Sequence, residues 1–135
     1  MMLESTDGQR LLDLGGHELT HSILSIVTVH LQSLLPQVPL AVQFLRFGTC
    51  AASDAQETAR QLNLVRDALA QVSPEDAIWD LNDRTVLPPW TGNLSPIVTS
   101  CANLYTTSDG RDLLWELVVL LTYASVVETS VRVID

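Results

Sequence analysis

Five consecutive residues near the start of the chain, His17-Glu18-Leu19-Thr20-His21, concentrate more reactive chemistry than any other stretch of the sequence. They match the pattern in which two histidines one helical turn apart bind zinc and the intervening glutamate activates a metal-bound water. In that reading His17 and His21 are ligands, Glu18 is the general base, and the protein is a minimal zinc metallopeptidase. A catalytic zinc needs a third protein ligand. The extended form of the motif supplies a glycine and then a histidine where this chain has Leu24 and Val27. His30 does not serve from the same straight helix, because thirteen residues at about 100° each place it roughly 140° around the axis from His17. Glu57, Glu75 and Asp76 remain as ligands from elsewhere in the chain. The competing reading leaves His17 and Glu18 on an exposed first helical turn and packs His21 at a rim. The missing ligand favours that second reading, with no metal and no cofactor.

A different chemistry is offered by acids beside tryptophans. Glu75, Asp76, Asp80 and Asp83 cluster around Trp79 shortly before Pro88-Pro89-Trp90, and Asp109, Asp112 and Glu116 follow a later turn. Such acids are a solvated face and helix-start residues, or they are a recognition surface for a basic protein. In the second case carboxylates steer the encounter and a buried tryptophan anchors the contact. The residues expected to form that surface are Trp79, Asp80, Asp83 and Trp90, with Asp109 and Asp112 next.

Other catalytic patterns are missing. Gly15-Gly16 and the isolated glycines match neither phosphate-binding pattern. Ser100-Cys101 and Thr106-Thr107-Ser108-Asp109 have no histidine nearby in sequence, since all three histidines lie within residues 17–30. Cys50 and Cys101 are too far apart for a zinc ribbon or a redox motif, and they read as small apolar residues in a packed interior. A Cys–His pair formed by the fold stays open.

The elements that position these groups follow from composition and periodicity. The chain has 135 residues, 47% of them hydrophobic, which is the size and content of a single domain over residues 1–135. Sixteen acids face seven arginines and no lysine, for a formal charge of −9. A phosphate backbone is repelled by that charge, so nucleic acid is not expected as a partner. The N-terminus lacks a basic, apolar leader, and no apolar run reaches the roughly 20 residues that span a bilayer, so a cytoplasmic protein with no membrane anchor is expected.

After a short segment ending at Gly15-Gly16, the spacing of Leu19, Ile23, Ile26, Val27, His30 and Leu34 predicts a helix from His17 to Leu35, stopped by Pro36 and Pro39. Alternation over Leu40–Phe47 favours a strand. Ser53 as N-cap with Gln56 three residues on predicts a capping box, opening a helix whose apolar face is Ala55, Ala59, Leu62, Val65, Leu69 and Val72. Ser73-Pro74-Glu75-Asp76 predicts a short helix to Leu81. Ile97–Thr106 reads as a strand by its β-branched and aromatic content. A turn at Thr107–Gly110 then leads into a helix with Leu113, Leu117, Leu120, Leu121 and Ala124 on one side and Leu114 and Val118 on the other, and Val131-Arg132-Val133 closes the chain as a strand. The expected fold is α+β, a small mixed β-sheet packed by three to four helices. The very apolar last helix also fits a homodimer.

In its back half the order of elements resembles the bacterial immunity protein 70 family: a turn with Asp109-Gly110, a helix with Leu113-Leu114 and Leu117, Ala124 near its end, and a closing strand. The front half is similar in order and spacing, with a helix, the apolar segment Val42–Leu45, a small-residue turn at Cys50 and an acid-started helix through Leu69. Pro88-Pro89-Trp90 falls where that family often has proline and tryptophan. After Cys50 the chain departs from the family's more polar turn, having Ala51-Ala52 instead. The resemblance implies an antidote encoded beside a polymorphic toxin, which binds its cognate toxin and blocks it without catalysis. A toxin with a basic cleft suits so acidic a partner.

Overall fold

The computed structural model describes residues 1–134. The chain starts as a hairpin, β1 (Met2–Ser5) and β2 (Leu11–Asp13), and ends as β3 (Val131–Val133), with β1 in the centre of the order β2-β1-β3. Both pairings are antiparallel, so the sheet is not the mixed one expected. Period-two alternation sends Leu3 and Ser5 inward, while Glu4 faces out and holds Arg132 of β3 at 2.6 Å. The first two strands are four and three residues long, too short for their alternation to stand out in the sequence.

Four α-helices lie between β2 and β3: α1 (Glu18–His30), α2 (Pro39–Phe47), α3 (Ala55–Leu69) and α4 (Leu113–Val127). Neighbours in this series pack on one another in chain order. The interior draws on the inner faces of all four helices and on Leu3, Leu12 and Val131 of the sheet. Helix α1 ends at His30, before the expected Leu35. Leu31 leaves helical geometry, and a 3-10 segment, Gln32–Gln37, carries the chain to Pro39.

Leu40–Phe47 forms helix, not strand. Val38, Ala41, Phe44 and Leu45 are buried, a helical spacing, while Gln43 is exposed. Pro39 occupies the first turn, where its missing N–H costs nothing. Two orphan N–H groups of that turn, on Leu40 and Ala41, donate to Oε1 of the buried Gln61 at 2.8 and 3.1 Å. This cap comes from α3, twenty residues on, where local pattern reading does not look.

At the start of α3 the expected capping box does not form. A 3-10 turn, Ala52–Asp54, intervenes, and Asp54 precedes the helix without a side-chain cap. Cys50 instead pairs with Val131 through backbone hydrogen bonds of 3.0 and 2.9 Å, fixing the entry to the helix from the sheet. The apolar face expected for this helix is buried from Ala55 to Leu69. Helix α4 has its expected core face, and Asp112 caps it by accepting from the Trp115 N–H at 3.1 Å.

Between α3 and α4 the chain runs for some forty residues with one 3-10 turn, Pro74–Asp76. The helix expected to Leu81 stops there. The strand expected at Ile97–Thr106 is a series of turns with a single bridge between Thr106 and Asp112. Asn103 Oδ1 accepts from the Thr99 and Ser100 N–H groups, and Ser100 Oγ accepts from the Ala102 N–H, so side chains take the bonds that a neighbouring strand would otherwise make. Among the described residues no helix is long and apolar enough to cross a membrane.

Gly48 ends α2 with φ +72°, and a Cβ there would lie 2.5 Å from Val133 and 3.0 Å from Leu3. Substitution Gly48→Ala forces both backbone strain and a shift of the sheet. It is expected to lower the unfolding free energy by about 2 kcal/mol, measured by urea denaturation; an unchanged midpoint is incompatible with this packing.

Candidate functional site

Helix α1 presents two unlike faces. Ile23, Ile26 and Val27 enter the core, whereas His21, Ser22, Ser25 and His30 meet the long connection after α3. Ser22 is fully buried. Its hydroxyl donates to the Ile78 carbonyl at 2.5 Å and lies 2.7 Å from the Tyr105 hydroxyl. With the Ser22 proton committed to Ile78, Tyr105 donates to Ser22. Burial pushes the Tyr105 hydroxyl pKa far up, which keeps it a donor at any physiological pH. Ser25 Oγ accepts from the Leu81 N–H at 3.0 Å and donates to the His21 carbonyl. His30 reaches the Asp76 carbonyl at 3.0 Å.

His21 completes this row. Its Nε2 lies 2.9 Å from Asp80 Oδ1, which also accepts from the Asn82 N–H. The hydrogen bond from His21 holds the Asp80 carboxyl below its usual pKa, with the Asn82 N–H acting in the same direction.

These contacts set the connection against the start of α1 and leave a cleft of ≈ 370 Å³. It is lined by His17, Glu18, His21 and Leu24 of the first helical region, by Leu45 and Arg46 of α2, and by Trp79 and Asp80 of the connection. Residues singled out for zinc chemistry and residues singled out for protein recognition thus share a single concavity. Trp79 packs edge-on against Trp90 at 5.5 Å between centroids, and Trp90 packs in the same manner on Tyr105 at 5.7 Å. An aromatic chain therefore runs from the cleft wall to the buried hydroxyl node.

The remaining candidates lie elsewhere. Asp83 is exposed and folds its own turn by accepting from the Thr85 N–H and hydroxyl. Asp109 binds Thr107 and Arg111 at the turn before α4, and Asp112 is that helix's cap. None of these three lines the cleft.

His17, Glu18 and His21 do not gather a ligand set. His17 sits at the exposed N-cap, the Glu18 carboxylate folds back over Gly16, and His21 Nε2 is engaged by Asp80. Among the described residues no three His, Cys, Asp or Glu side chains are grouped to hold a metal ion. The cysteines are buried, free and far from the histidines in their bonding: Cys50 Sγ meets Thr58 and the Ala51 carbonyl, and Cys101 Sγ donates to the Ser73 carbonyl. Burial raises both thiols, Cys101 to about 11, so neither is an activated nucleophile.

Sequence reasoning did not single out Ser22, Ser25 or Tyr105. The available signal was two serines among the buried positions of an otherwise apolar helix, which call for partners from outside it.

Comparison with family models places this α+β chain among immunity proteins. The match is to the family described as Immunity protein 70 and covers residues 6–133, nearly the whole length; the chain belongs to that family. No curated protein and no solved structure gives a significant match.

Two outcomes test the latch that Ser22, Ser25, His21 and His30 of α1 form on the connection. Removing the Ser22 hydroxyl with Ser22→Ala strands the Ile78 carbonyl and the Tyr105 hydroxyl in the interior and is expected to cost about 2 kcal/mol in urea unfolding. A change within a few tenths of that scale's error means the node is not holding the connection. For pH, a carboxyl depressed on folding stabilises above its ordinary pKa of about 3.9 and loses that contribution as pH falls through the folded value. Tryptophan fluorescence, reporting Trp79 beside Asp80, is therefore expected to shift below about pH 4, and Asp80→Asn to abolish that step; the same acid step in both proteins assigns it to other carboxyls.

Proposed function

We propose that the protein neutralises a cognate toxin by binding it, with no catalysis of its own, and that the face around the α1–α2 cleft is where the toxin docks. Membership of the immunity protein 70 family over residues 6–133 carries the first part of this reading. The second part is supported by chemistry. Trp79 is half-buried and backed by Trp90, so it offers a rigid aromatic surface at little conformational cost. Asp80 is fixed by His21, while Glu18, Glu75, Asp76 and Asp83 add negative charge on or near the same connection and helix start.

With a chain charge of −9, the fitting partner is a basic toxin surface, drawn in by long-range attraction and held by the aromatic contact. Asp109 and Asp112, at the start of α4, belong to this surface only if the toxin reaches beyond the cleft. The proposed setting is the cytoplasm of the producing cell, where an antidote meets its toxin.

Co-expression with the toxic domain encoded in the neighbouring gene tests the reading. The pair is expected to co-purify at one to one, and protection is expected to need a full equivalent of the protein. Survival with a small fraction of an equivalent points to turnover and overturns non-catalytic binding; failure to associate, with the toxin still lethal, overturns the function. Trp79→Ala is expected to raise the dissociation rate by about tenfold or more. Asp83→Lys, which does not touch the latch, is expected to slow association and to weaken its salt dependence.

A further inference from the structure

Helix α4 is apolar on nearly its whole circumference, with Glu116 its one charged residue among fifteen. A helix of that kind is ordinarily covered on all sides. Here Leu113, Leu114, Leu117, Val118, Leu120, Leu121 and Ala124 are buried, but an outer row is not. Trp115 is 47% exposed, Val119 43% and Val126 77%, and Thr122 stands in the same row. Thr122 donates its hydroxyl to the Val118 carbonyl at 2.8 Å, so its polar group is spent inside the helix.

The spacing of this row is four, three, four, the seam of a two-helix coiled coil. It is also symmetric about its own centre. Turned antiparallel against a copy of itself, Trp115 meets Val126 and Val119 meets Thr122, large against small in both outer layers, with the helix dipoles opposed.

The charges flanking the row match under the same operation. At the N-terminal end the Arg66 guanidinium lies over the Trp115 ring at 5.1 Å. At the C-terminal end Glu128 is exposed and held at φ 58° as the helix cap. Antiparallel pairing brings these two ends together. On one side of the seam Arg10 covers Tyr123 at 4.6 Å, and the position facing Tyr123 in a second copy is Glu116. Arg10 and Arg66 thus flank the row, each facing a carboxylate of a second copy, with Asp7, bound by the Tyr123 hydroxyl at 2.6 Å, and Asp112 standing beside them.

We infer that the outer row of α4 is a two-fold, antiparallel dimer interface between copies of this chain. It is distinct from the cleft, which lies between α1 and α2. The inference does not rest on the toxin-binding reading.

Sedimentation and light scattering of the purified full chain, without toxin, are the test. A dimer of twice the 14.8 kDa chain is expected at high micromolar concentration. Val119→Glu buries two charges in the seam and is expected to raise the dimer Kd on the order of a hundredfold, with unchanged circular dichroism because Val119 faces outward. Arg66→Glu and Glu128→Arg are each expected to weaken the dimer several-fold, and the two together to restore it. The inference is overturned by a wild-type chain that stays monomeric at every concentration, by a dimer indifferent to Val119→Glu, or by single charge changes that the double change does not rescue. A monomer whose toxin binding is lost with Val119→Glu assigns the row to the toxin instead.

Discussion

The Ser22 hydroxyl is the constraint on which the rest of this architecture depends. Some forty residues between α3 and α4 carry almost no regular structure, so their backbone groups have no ladder to satisfy them. Water serves where the connection is exposed. Where it enters the interior, at Ile78 and Tyr105, a polar group must be supplied from the protein, and α1 supplies it. Once Ser22 fixes Ile78, the neighbouring residues fall in line: Asp76 at His30, Asp80 at His21, Leu81 at Ser25. Trp79 is then obliged to stand at the edge of the cleft. The polar face of α1 is a template for the connection, and the cleft is its consequence.

The same contacts explain why the histidine pair resembles a metal motif without gathering ligands. One helical turn separates His17 from His21, as zinc binding requires, but the two have unlike surroundings. His17 is solvent-exposed at the helix cap, while His21 is drawn toward a carboxylate fifty-nine positions later. A short pattern records only the spacing along the helix. What the imidazole faces is decided by the remote segment, and here that segment uses it as a hydrogen-bond donor that anchors Asp80.

How much of the molecule was legible follows the distinction between local and remote determinants. Helices α3 and α4 and the strand β3 announce themselves, because their apolar faces repeat over several turns or end in β-branched pairs. Over Leu40–Phe47 the alternation that favours a strand extends for only a few residues and competes with an equally good helical spacing. What decides for helix is the Gln61 cap and the burial of Ala41 and Leu45 against α1 and α3. Ile97–Thr106 was misread for a related reason: β-branched content expresses a preference for a pleated surface, and no strand lies beside it to provide one. Of the site, Trp79, Asp80 and the His17–His21 segment were each visible as chemistry. Their meeting in one cleft was not, since it depends on Ser22 and Tyr105, whose roles exist only once residues 22, 78 and 105 are in contact.

The distribution of charge separates two kinds of surface in the same small protein. Among the described residues, the carboxylates from Glu75 to Asp83 on the connection stand without arginine partners, whereas around α4 they are interleaved with arginines: Arg111 pairs with Asp109 and Glu116, Arg10 covers Tyr123 and Arg66 covers Trp115. For a chain of charge −9, any two copies repel at a distance, and only a contact that keeps carboxylates apart and opposes them with arginines can persist. On the outer row of α4 the arginines Arg10, Arg66 and Arg111 offset the flanking carboxylates, whereas the cleft lining carries Glu18 and Asp80 against Arg46 alone. A basic partner, conversely, is attracted to the connection and gains nothing from the arginine border. On the two proposals made above, acidity does more than set an overall field: like copies meet on α4 and a basic toxin on the cleft face, so that occupying one surface leaves the other free.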